Sequence, residues 1–214
     1  MYKFPVAQPE LKGNELKYLT EAIQGGWISS LGAFVTEFAL KFAEYHKAKW
    51  GVACSSGTSA LILALRAIGV KQGDEVIVPE FTMIATAWAV TITGGTPIFI
   101  DCGNDLNIDV SKIEKKITNK TKAIIPVHIY GRHCNMEAIN KIARDYNLFI
   151  IEDSAEAHGT PLTGDIACFS LFANKINTSG EGGICITNNE RLAWQIKHLG
   201  SMAFDGIHSF LHKK

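Results

Sequence analysis

The chain has 214 residues, 47% of them hydrophobic and 20% charged, with 21 Lys+Arg balanced by 21 Asp+Glu. That length supports one substantial core or two small ones, and zero net charge argues against a nucleic-acid face or a basic membrane surface. No apolar run reaches the ~20 residues that span a bilayer, the start MYKFPVAQPELKG lacks a signal-peptide core, and the scattered Cys54, Cys102, Cys134, Cys168 and Cys185 fit buried thiols in a cytoplasmic protein better than a disulfide frame or zinc site.

After an extended start, 11–24 has helical periodicity and stops at Gly25-Gly26. Residues 27–32 read as a loop, and 34–46 as an amphipathic helix with Phe34, Phe38, Leu40, Phe42 and Tyr45 at its apolar positions. A strand over 50–55 runs into Ser-Ser-Gly-Thr-Ser and an apolar helix over 60–68. A hydroxyl-rich turn opening a helix offers free N–H groups and the positive end of the dipole, which together make an anion site. A plain Ser/Thr N-cap explains the same residues. Neither a Walker A loop nor GxGxxG is present, which disfavours a doubly wound nucleotide-binding domain.

The chain continues with a strand over 75–78 ended by Pro79, a helix over 81–93 and a strand over 97–101. A helix over 110–117, a strand over 123–128, a helix over 136–146 and a strand over 148–151 follow. Such alternation predicts βαβ units and a mainly parallel sheet. Strands over 167–172 and 183–187 have no full helix between them, suggesting hairpin-like additions, and a last helix spans 190–199. The tail 200–214 has no clear pattern and stops without closing an element, as a truncated chain would. His46, His133, His198, His208 and His212 lack ligand spacing and read as surface or capping residues.

The chemistry concentrates in 149–183. The strand before Glu152 and Asp153 is buried in type, and a carboxylate at the carboxyl end of such a strand points into the crevice where α/β folds bind ligands. Lys175 lies 22 positions after Asp153, among apolar neighbours, the setting a Schiff-base lysine requires. Such an Asp also serves as a helix cap, and such a Lys as a strand-edge solubiliser. An acid able to pair with a pyridinium nitrogen, followed by such a lysine, is equally the pattern of a pyridoxal-phosphate enzyme.

Six segments then occur in order: GWISSLG, SSGTSAL, GDEVIVPEFTMIATAWAV, VHIYG, IEDSAEAHG and FANKINTSGEGGICIT. In these the chain resembles the DegT/DnrJ/EryC1/StrS group of pyridoxal-phosphate sugar aminotransferases, and above all its perosamine-synthase-like members. The resemblance implies an α/β fold, the large domain of a fold type I transferase, with a mainly parallel sheet and helices on both faces. Residues 1–214 would comprise an N-terminal segment and this large domain, with the family's small C-terminal domain missing. It implies pyridoxal 5'-phosphate as cofactor, L-glutamate and a nucleotide-linked 4-keto-6-deoxyhexose as substrates, and a homodimer with shared active sites.

Carried over by position, Lys175 matches the lysine that forms the Schiff base and shuttles the proton, and Asp153 the partner of the pyridinium nitrogen. Glu156 stands near the ring hydroxyl, while Thr58, Ser59 and Ser170 match donors to the phosphate. Met83 stands where most members place an aromatic ring over the pyridine, a departure that bears on cofactor affinity. The competing expectation is a non-catalytic relative or fragment that binds pyridoxal phosphate or a nucleotide sugar in a sensing or scaffolding role.

Overall fold

Seven strands form a single sheet in the order β1-β7-β6-β5-β4-β2-β3. In chain order they are β1 (Trp50–Cys54), β2 (Glu75–Pro79), β3 (Thr96–Ile100), β4 (Thr121–Ile124), β5 (Phe149–Asp153), β6 (Ile166–Ser170) and β7 (Gly183–Thr187). The helices are α1 (Glu15–Gln24), α2 (Ala33–Tyr45), α3 (Gly57–Ala67), α4 (Ala85–Ile92), α5 (Val110–Ile113), α6 (Met136–Tyr146) and α7 (Glu190–Gly200). The structure is a computed structural model that describes residues 7–202. His208, His212 and most of the tail 200–214 lie outside the described residues.

The pairs β2–β3, β2–β4, β4–β5 and β5–β6 are parallel, and only β7 runs against its neighbours. The expected mainly parallel sheet is therefore present. The hairpin-like pairing expected of the last two strands is present, since β6 and β7 lie side by side and antiparallel. What the sequence did not announce is that residues 154–165 carry the chain from β5 back to the start of a parallel β6 without a helix. Strands alternate their side chains, and the two faces gather different helices. Ile151, Ile166, Cys168 and Cys185 pack with Leu61, Leu65, Leu192 and Ile196 of α3 and α7. On the opposite face Ile77, Ile124 and Ile150 meet Ile139 and Ile142 of α6, while Phe169, Ile184 and Ile186 meet Ala39 and Phe42 of α2.

Several boundaries shift for local reasons. The helix expected from 60 begins at Gly57, because the Ser56 hydroxyl caps it by accepting from the Ser59 N–H at 3.1 Å. The strand expected over 123–128 ends at Ile124, two residues before Pro126, which has no N–H to give to a ladder. Helix α4 begins at Ala85, and Phe81–Met83 remain outside it. The helix expected over 110–117 is α-helical only to Ile113, with a 3-10 turn after it. Of the two roles expected for His46, capping holds and surface exposure does not. It is the C-cap of α2, fully buried, with Nδ1 2.8 Å from the Phe42 carbonyl and Nε2 accepting the Gly159 N–H at 2.8 Å.

Candidate active site

Because β1, β2, β4, β5 and β6 are parallel, their carboxyl ends share one edge of the sheet, and the segments that leave those ends build the site. A cleft of about 250 Å³ is lined there by Phe81, Thr82 and Met83 after β2, by 127–130 after β4, by Asp153, Ala155 and Glu156 after β5, and by Lys175. Four residues singled out in the sequence, Met83, Asp153, Glu156 and Lys175, thus converge. Lys175 belongs to the loop between β6 and β7, so the near-adjacency of those strands is what returns it to the end of β5.

Asp153 is 5% exposed. Its Oδ2 accepts from the Thr86 hydroxyl at 2.8 Å and its Oδ1 from the Ala155 N–H at 3.2 Å. Burial pushes this carboxyl above the usual carboxylate range; the Thr86 hydroxyl, the Ala155 N–H and the Lys175 charge offset that only in part. Beyond the apolar neighbours that the sequence suggested, the lysine has a carboxylate partner. Its Nζ lies 3.3 Å from Glu156 Oε1, and Glu156 Oε2 accepts the Tyr130 N–H at 2.9 Å. Tyr130 holds a left-handed backbone angle, φ 53°, to present that N–H. Met83 is 74% exposed at the mouth.

Thr58, Ser59 and Ser170 sit beside the cleft, not on its lining. Thr58 and Ser59 occupy the first turn of α3, where the N–H groups of Gly57 and Thr58 have no intrahelical acceptor. A side chain on Gly57 would stand 2.7 Å from Ser170 Cβ, so this turn is pressed against the end of β6. The Ser59 hydroxyl lies 2.9 Å from the hydroxyls of both Ser55 and Ser56, and its N–H is spent on the cap. Thr58 and Ser170 keep more freedom to meet an anion than Ser59 does.

Sequence reasoning passed over four residues. Thr86 and Tyr130 hold the two carboxylates. His158 Nε2 lies 2.9 Å from the Ser170 carbonyl while its Nδ1 accepts the Asn177 N–H at 3.3 Å, tying β6 to the lysine loop. His128 is buried with Nε2 2.9 Å from Glu152 Oε2. Burial opposes ionisation of Glu152, yet the hydrogen bonds from His128 and from the Gly164 and Thr163 N–H groups outweigh it and hold the carboxyl below its usual range. All four lie inside the matched segments, but nothing local to them in the sequence announced these contacts.

These residues fit pyridoxal phosphate. A buried carboxylate with no ion-pair partner among the described residues suits a protonated ring nitrogen, a lysine lies across the same cleft, and a helix N-terminus with a hydroxyl beside it suits a phosphate. A model described as the DegT/DnrJ/EryC1/StrS aminotransferase family matches residues 9–213. GDP-perosamine synthase of Caulobacter vibrioides is 47% identical over 213 residues, which covers 95% of this chain and 57% of that protein. GDP-perosamine synthase of Escherichia coli O157:H7 is 48% identical over 200 residues, covering 90% and 55%. The crystal structure of NtdA from Bacillus subtilis with bound cofactor PMP superposes with a TM-score of 0.89 at 35% identity, covering 93% of this chain and 47% of that one. The chain spans about half the length of the relatives it matches.

Proposed function

The chain belongs to the DegT/DnrJ/EryC1/StrS aminotransferase family, and from that premise we propose that it forms the cofactor-binding large domain of a sugar-nucleotide aminotransferase. The enzyme moves the amino group of L-glutamate to the keto carbon of a nucleotide-linked 4-keto-6-deoxyhexose, and its cofactor is pyridoxal 5'-phosphate. The observation that carries this reading is the convergence of buried Asp153 and Lys175 on one cleft at the carboxyl edge of the sheet.

The bound cofactor supplies an electron sink and a carrier for the amino group between the two half-reactions. Asp153 pairs with the ring nitrogen and keeps it protonated. Lys175 would hold the cofactor through Nζ, and the free amine would move a proton to or from the reacting carbon. Glu156 is the group into which the Lys175 cation can settle. The first turn of α3, with Thr58 and Ser59, and the Ser170 hydroxyl orient the phosphate. Met83, at the mouth of the cleft, would offer the ring its polarizable sulfur in place of an aromatic side chain.

A homodimer with shared sites and a cytoplasmic location belong to the same reading. The free cysteines support the second, and among the described residues no helix is long and apolar enough to cross a membrane.

The test is to load the protein with pyridoxal phosphate, reduce with borohydride and map the modified peptide. The expected label falls on Lys175 and disappears in Lys175→Ala. GDP-, UDP- and dTDP-linked 4-keto-6-deoxyhexoses are then offered with L-glutamate, and an amino sugar is sought by mass spectrometry. No label removes the cofactor reading. A label without any amino sugar from the full panel favours the non-catalytic alternative.

A further inference from the structure

We propose that Thr86 is a positioning residue: supported by Thr82, its hydroxyl donates to Asp153 Oδ2 and fixes that carboxylate for the ring nitrogen of the cofactor. The inference rests on the cofactor reading above and adds to it a residue 67 positions away from the acid it serves.

Thr86 lies in the first turn of α4 and is fully buried. A helical threonine usually turns its hydroxyl back to a carbonyl one turn earlier. Its neighbours do so: Thr91 Oγ1 donates to the Ala87 carbonyl at 3.2 Å and Thr93 Oγ1 to the Ala89 carbonyl at 3.0 Å. Thr86 instead reaches out of its helix to Asp153 at 2.8 Å. The Thr82 hydroxyl stands 3.0 Å from the Thr86 hydroxyl and borders the cleft.

The direction of this chain follows from counting protons. An ionised carboxylate only accepts, and a hydroxyl has a single hydrogen. When Asp153 faces a protonated ring nitrogen, Thr86 must give its hydrogen to Oδ2, and Thr82 must then donate to Thr86. The Ala155 N–H serves the other oxygen. With one donor on each oxygen the carboxylate plane cannot rotate freely, and each oxygen retains acceptor capacity for the ring nitrogen. Both donors also favour the charged form in a site whose burial opposes it.

Two substitutions separate this role from packing. Thr86→Val keeps the shape and deletes the hydroxyl, whereas Thr86→Ser keeps the hydroxyl and deletes the methyl. We would measure the dissociation constant of pyridoxal phosphate from each protein, and that of 1-deazapyridoxal phosphate, which carries C–H in place of the ring nitrogen. Thr86→Val should bind pyridoxal phosphate roughly tenfold or more weakly, the scale of one hydrogen bond to a charged group, and Thr86→Ser close to wild type. With the deaza analogue the two variants and the wild type should bind alike.

Equal pyridoxal-phosphate affinity in wild type and Thr86→Val overturns the proposal. So does a Thr86→Val loss that is as large for the deaza analogue, or a greater loss in Thr86→Ser than in Thr86→Val, since either assigns Thr86 to packing. A wild-type protein that binds neither compound instead removes the cofactor reading on which the proposal stands.

Discussion

At the scale of single residues, Asp153 carries a cost that the sequence does not display. Burial raises its pKa, so the folded protein binds this proton more tightly than the unfolded chain does. That binding contributes stability at low pH, and the contribution is lost as pH rises from about 4, the ordinary aspartate range, through the raised folded value. Without cofactor the acid is therefore a liability at neutral pH. Asp153→Asn should be more stable than wild type in cofactor-free urea unfolding, by on the order of 1 kcal/mol, with a difference that grows as pH increases above about 4. Added pyridoxal phosphate should stabilise only the wild type. The position and type of Asp153 and Lys175 were legible because strand ends and apolar flanks are local features. Thr86 was not, because its partner is distant in sequence and a threonine in an apolar helix looks like filler.

At the scale of elements, two joints control how the site is held. The first is a backbone approach. A side chain on Gly183 would lie 2.3 Å from the Ser56 carbonyl oxygen and 2.8 Å from the Gly57 nitrogen, so β7 and the cap of α3 fit only without a Cβ. Gly183→Ala should cost roughly 1–3 kcal/mol, as overpacking does, and displace the turn proposed above to meet the phosphate. Urea unfolding and cofactor affinity should fall together. The second joint is His158, whose ring accepts from Asn177 on one nitrogen and faces the Ser170 carbonyl with the other; only the neutral imidazole can do both. Burial lowers its pKa, against the pull of the Ser170 carbonyl, and the His46 and Lys175 charges act in the same direction as burial. The unfolded chain then binds more protons near and below pH ~6.5, so this contribution is complete above that pH and is lost as pH falls toward the depressed folded value. Limited proteolysis should cut the 171–182 loop faster at about pH 5 than at about pH 7.5, and His158→Gln should flatten that difference. The start of α3 was misjudged because cap choice depends on which hydroxyl the fold leaves facing the turn, here Ser56, and hydropathy does not report it; α4 starts late without any side-chain cap, at Ile84.

At the scale of the whole molecule, the alternation of strands and helices gave the layered sheet, because each period reflects one face that must be buried. The closeness of the last two strands announced the antiparallel pairing of β6 and β7, but the parallel return to β6 was less legible, since the segment between β5 and β6 has no periodicity to follow. What the fold leaves uncovered leads to the last prediction. Helix α1 has no buried residue, and Leu16, Leu19 and Ile23 on it are 78%, 60% and 60% exposed. Beside the cleft, Met83, Ile84, Trp88 and Ile92 are likewise more than half exposed, although α4 also contains four buried residues. A helix with one face in the core and large apolar side chains on the other is built to be covered twice. Isologous pairing of two copies is the commonest way to cover such a face, and the closeness of Met83 to this helix would make the pairing shape the cleft as well. The protein should therefore run as a dimer in light scattering. Trp88→Lys with Ile92→Lys should shift it toward the monomer and weaken pyridoxal-phosphate binding, while Tyr146→Lys, on the exposed end of α6, should leave both unchanged. A double variant that remains dimeric would assign the α4 surface to some other partner.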